Sequence, residues 1–73
     1  EETDMCNQDH IRTARAALAR AAWVRGGSPA YNEDAVTDLL ADLRHHCVAA
    51  GLDFARCERI AAMYFMAENG GAS

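Results

Sequence analysis

Residues Asn32 to Glu68, NEDAVTDLLADLRHHCVAAGLDFARCERIAAMYFMAE, decide the fold of this chain. Val36, Leu39, Leu40, Leu43, Cys47 and Ala50 recur at helical spacing and form one apolar seam, with Asn32 placed to cap it and Glu33 and Asp34 in its first turn. Gly51 ends that helix. Asp53 caps another, and Leu52 before the cap is placed to pack on Cys57 as a hydrophobic staple. Phe54, Cys57, Ile60, Ala61 and Tyr64 then make an inward face. Most of the apolar residues larger than alanine lie here, so the expectation is a helical hairpin, antiparallel because its turn is short.

Working outward, Ile11, Ala14, Leu18, Ala21 and Ala22 mark a first helix, with Asn7 as its cap and Asp9 at the positive end of its dipole. Gly26 and Gly27 stop it, and Trp23 falls on a different face, near Ala16 and Ala19. Glu1 to Cys6 reads as an acidic tail. Ser28-Pro29-Ala30-Tyr31 is a linker in which Ser28 and Pro29 are suited to open a short helical turn. The expected architecture is one all-α domain over 1–73. Its helices run over about 8–25, 33–50 and 54–69, the last two forming the antiparallel hairpin, with a tail at 1–6.

Length and composition bound the function. Seventy-three residues leave no room for a second core or a cofactor-binding sheet. A chain this short buries about 60% of its unfolded surface and gains from a disulfide, a metal or a second subunit. No apolar run is long enough to span a bilayer, and no leader or lipidation pattern is present, so a soluble, cytoplasmic protein is expected. The chain opens on Glu1: either its initiator is missing, or Met5 is the natural start and Glu1–Asp4 are additional. All seven basic residues are arginine, sixteen residues are alanine, and the net charge is −4. That acidity argues against simple phosphate-driven binding of nucleic acid. Ile11 to Arg25 nonetheless carries Arg12, Arg15, Arg20 and Arg25 without an acid, while Asn32 to Gly51 carries Glu33, Asp34, Asp38 and Asp42 against Arg44 alone. The basic and acidic helices are expected to complement each other, within one subunit or between two.

The third helix is apolar around its whole circumference from Ala61 to Ala67. A helix of that kind is normally covered on every side, and an alanine-rich neighbour covers little. Met63, Phe65 and Met66, with Trp23, are therefore the expected contact anchors of an interface, and a homodimer is the expected partner state.

Other chemistries are weaker. Cys6, Cys47 and Cys57 are an odd set without paired spacing, as in a reducing compartment, and Cys47 and Cys57 occupy facing seams as core residues. A zinc-binding small domain is one alternative: Cys6 and His10 share i,i+4 spacing, His45, His46 and Cys47 are adjacent, and Cys57 lies across the turn. No Cys-x-x-Cys or His-x-x-x-His pair supports it, so no metal ligand is assigned. Asp34, Asp38 and Asp42 form a carboxylate ridge like one wall of the magnesium site in helical nucleotide hydrolases. The third helix offers only Glu58 and Glu68 opposite it, so no catalytic residue and no cofactor are assigned. A helix-turn-helix DNA-binding regulator is the other alternative, with Gly51 and Leu52 at the turn, Cys57 and Ile60 inside, and Arg56 and Arg59 as nucleic-acid contacts. Against it stand the length of the preceding helix, His46 at a position that should be apolar, and the net acidity.

The segment Thr37-Asp38-Leu39-Leu40-Ala41-Asp42-Leu43-Arg44-His45, with Gly51-Leu52-Asp53-Phe54 and then Ala61, Tyr64 and Glu68, resembles a recurring pattern in small uncharacterised proteins of bacterial phages, prophages and plasmids. The resemblance covers about half the chain. It implies a mobile-element accessory protein that binds and modulates a host or phage protein.

Overall fold

The computed structural model describes the backbone from Glu2 to Asn69 and side chains from Gln8 to Glu68. The fold is all-α, with three helices among the described residues: α1 over Glu2–Val24, α2 over Glu33–Ala50 and α3 over Phe54–Asn69.

Local chemistry sets the boundaries of α2 and α3. Asn32 Oδ1 accepts from the Ala35 N–H at 2.9 Å, and Asp53 Oδ1 accepts from the Arg56 N–H at 3.1 Å, so both expected caps satisfy first-turn donors. Two glycines end the preceding helices in the left-handed region. Gly26 has φ +86°, and around it the Gly27 N–H donates to Ala22 O at 2.9 Å and the Gly26 N–H to Trp23 O at 3.0 Å. Gly51 has φ +74°, with the Leu52 N–H donating to Cys47 O at 2.7 Å and the Gly51 N–H to Val48 O at 3.3 Å. Both ends are Schellman motifs, which occupy last-turn carbonyls that would otherwise lack donors.

Two expectations fail. Residues 2–6, read as part of a tail, are the first turns of α1, so the helix runs through Asn7 instead of starting on it at 8. The helix stops at Val24 and Arg25 lies in the turn that follows, the last position of the expected 8–25 span. Ser28 and Pro29 open no helical turn: the linker is irregular up to Asn32, which captures the helix start.

The chain groups into two compact units, Glu1–Asp42 and Leu43–Ser73, with the division inside α2. Among the described residues of the first unit, Leu18 is buried, and Ala19, Ala21, Ala22, Ala30, Ala35 and Leu39 are half-buried. Ile11 stays 52% exposed, so the expected α1 stripe is withdrawn from water only in its C-terminal half. The linker is held back on α1 by Tyr31, whose ring lies 3.9 Å below the Arg15 guanidinium. An Arg25–Asp42 ion pair joins the end of α1 to α2. In the second unit Cys47 is buried, Phe54 and Ile60 are half-buried, and the Arg44 guanidinium lies 4.5 Å over the Phe54 ring.

Candidate interaction surface

Few large side chains are withdrawn from water, and the exposed ones define the site. On α3, Met63 is 65% exposed, Tyr64 64%, Phe65 62% and Met66 62%. Successive helical residues turn by about 100°, so Phe65, Met66 and Met63 share an arc of roughly 160° while Tyr64 falls outside it. The same periodicity groups Ala55, Arg59 and Ala62 with the methionines, all of them exposed. The sequence places this apolar surface because Ala61–Ala67 contains no charged residue at any helical phase.

The expected inward face of α3 is only partly inward. Phe54 and Ile60 are half-buried, but Cys57, Ala61 and Tyr64 are exposed. Leu52 also stays exposed, so the staple expected between it and Cys57 shelters little. Leu43 and Val48 of the second unit are themselves exposed, and the small side chains of Ala49 and Ala50 offer little area to cover a tyrosine.

Trp23 is 65% exposed beside Val24 at 67%, at the end of α1. The Arg20 guanidinium stacks on it at 4.4 Å. Tryptophan and arginine are the residue types most enriched at the energetic centres of interfaces. The Arg20–Trp23 spacing of i,i+3 is legible in the sequence. The Arg15–Tyr31 and Arg44–Phe54 stacks are not, because each joins residues on separate elements.

The charged residues are exposed on both helices of the first unit. Arg12, Arg15 and Arg20 of α1 face solvent at least in part, as do Glu33, Asp34 and Asp38 of α2, and Asp42 pairs with Arg25. Among the described residues, the complementarity expected from composition is seen within the subunit at the Arg25–Asp42 ion pair. Arg56 and Arg59, the expected nucleic-acid contacts, are exposed on α3 with Glu58 between them in sequence.

Among the described residues, no three His, Cys, Asp or Glu side chains come together as a metal would require. His10, His45 and His46 are exposed, and the Cys6 side chain lies outside the described residues. Cys47 and Cys57 are free thiols, the first buried as expected and the second exposed, contrary to its expected core position. Removal from water pushes the Cys47 thiol above its usual range. The neighbouring Cys57 adds to this through its charge and its hydrogen bond, Arg44 partly opposes it, and Asp53 adds a smaller push. Among the described residues, no helix is long and apolar enough to cross a membrane.

Comparison with protein-family models, with curated proteins and with solved structures gives no match to this chain.

Proposed function

We propose that this chain is a non-enzymatic protein–protein interaction module that homodimerises, with Met63, Phe65, Met66 and Trp23 as the contact anchors. The observation that carries this reading is the exposure of all four, each above 60%. Met63, Phe65 and Met66 of α3 expose together roughly 400 Å² per copy, so two copies would bury roughly 800 Å² through α3, and Trp23 adds a separate contact. Charge supports a second copy as the occupant. The arginines of α1 and the acids of α2 give one molecule both signs, as a self-complementary interface needs.

In this reading α2 and α3 act as an antiparallel hairpin that presents the α3 surface, a reading supported by the Arg44–Phe54 stack. The phage, prophage and plasmid resemblance extends the role to a cytoplasmic accessory protein that binds and modulates a host or phage complex. Light scattering on the eluted peak across a hundredfold concentration range tests the dimer. The expected mass is twice 7.9 kDa at the upper end. A mass that stays monomeric throughout would refute it.

The helix-turn-helix reading has the exposure of Arg56 and Arg59 in its favour. Its test is a gel shift at low salt, where arginine–phosphate contacts are strongest. Retardation of duplex DNA that is lost in Arg56→Ala and Arg59→Ala would replace the interaction module with a DNA-binding regulator.

A further inference from the structure

We propose that the outward face of α1, carrying Arg12, Ala16, Arg20 and Trp23, docks on the carboxylate ridge Asp34–Asp38 of α2 in a second copy of the chain. The inference rests on the homodimer reading and supplies the occupant of its Trp23 contact. At about 100° per residue, the four α1 residues share an arc of about 80° turned away from the buried Leu18, and all four are exposed. No acid interrupts the sequence from Ile11 to Arg25. The Arg20 guanidinium lies 4.4 Å over the Trp23 ring, so a charge and a large apolar surface meet a partner together.

Charge names the occupant. Among the described residues, no ion pair or side-chain hydrogen bond engages Arg12, Asp34 or Asp38, whereas Asp42 is already held by Arg25. The net charge of −4 repels nucleic acid and other polyanions. A second copy instead brings its own acidic face at the same concentration as the basic one. Asp34 and Asp38 stand about 6 Å apart along α2, and Arg12 and Arg20 about 12 Å apart along α1, a difference that long arginine side chains span. Thr37 and Ala41, exposed on the same side of α2, are small enough to admit the Trp23 indole. Both surfaces belong to one unit of one chain. A two-fold axis therefore makes the contact twice, α1 on the partner's α2 and α2 on the partner's α1.

A charge swap tests the pairing. Sedimentation equilibrium is run on the wild type, on Arg12→Glu/Arg20→Glu, on Asp34→Arg/Asp38→Arg, and on an equimolar mixture of the two variants. Between about 50 mM and about 500 mM sodium chloride the wild-type dissociation constant is expected to rise about tenfold, because salt screens exposed ion pairs. Each variant alone dissociates at least tenfold more readily than the wild type. The mixture recovers dimers: the glutamates of one variant meet the arginines of the other, while the second contact keeps its native charges. Circular dichroism checks the fold, and if Asp34→Arg disturbs the first turn of α2, Asp38→Arg alone takes its place. A wild-type dimer indifferent to salt, or a mixture no more associated than its parts, would overturn the docking and leave the α3 dimer standing. A monomeric wild type overturns both. A labelled oligothymidine that binds the wild type but not Arg12→Glu/Arg20→Glu would overturn it in favour of single-stranded nucleic acid.

Discussion

Replacing Leu18 by alanine is the sharpest stability test, because among the described residues Leu18 is the one large aliphatic side chain that is nearly closed off from water, at 9% exposure. Its unit offers mainly alanines among its half-buried residues, and alanine has no rotamers with which to fill a vacated space. The loss therefore includes both the transfer of the removed methyl and methylene groups and a residual cavity. Leucine-to-alanine changes in cores cost about 2–5 kcal/mol, and a site this close to the surface belongs near the lower end, at about 2.5 kcal/mol. A domain of this length has a total stability of about 4–11 kcal/mol, so one side chain carries a large share. With about 2 cal/mol/K of unfolding entropy per residue, the midpoint falls by about 15 °C. Far-UV circular dichroism checks this at several protein concentrations, since association would add stability of its own. Met63→Ala is the control: at 65% exposure it changes the midpoint by less than about 3 °C at the lowest concentration. A Leu18→Ala shift below about 4 °C, or equal shifts for the two variants, would refute the division into sheltered and exposed side chains.

Gly51→Ala is expected to cost about 1–2 kcal/mol through backbone strain alone: φ is +74°, and nothing lies within 4 Å of the added Cβ. A fitted urea titration measures it, and a neutral result would contradict the left-handed turn. Asp53→Ala removes the α3 cap and is expected to cost about 1 kcal/mol, while Asp53→Asn restores most of it. Breaking the Arg25–Asp42 pair by Arg25→Ala costs less than about 1 kcal/mol, because the side chains are 40% and 55% exposed and water screens them. The pH dependence carries a definite sign. A raised Cys47 pKa means that the unfolded chain releases this proton first as pH climbs. The contribution to stability is complete below the usual thiol range and is lost as pH rises through and above it. Cys47→Ser should flatten that alkaline decline, and an unchanged slope would count against a sheltered thiol.

The sequence announces its helices through chemistry that acts within a few residues. Asn32 and Asp53 cap where their side-chain oxygens reach the next turn, and Gly26 and Gly51 stop helices where a left-handed residue is needed. The start of α1 was harder to place, because Asn7 is a good cap that a helix can also run through. Burial was the least legible property. Helical phase put Met63 and Met66 away from the inward face, where they are exposed, yet it also assigned Cys57 and Tyr64 to the interior, where they are not. Phase identifies which residues share a face, whereas burial depends on how much area the opposing element brings. The arginine–aromatic stacks on Tyr31 and Phe54 join separate elements, so no local spacing encodes them.

Sedimentation equilibrium of the wild-type chain beside Met66→Glu tests the interaction reading most directly. The reading predicts a reversible dimer for the wild type. The charged variant should stay folded by circular dichroism, since Met66 is 62% exposed, and should weaken association at least tenfold. A wild-type chain that remains monomeric at millimolar concentration, or a dimer indifferent to the glutamate, would contradict it.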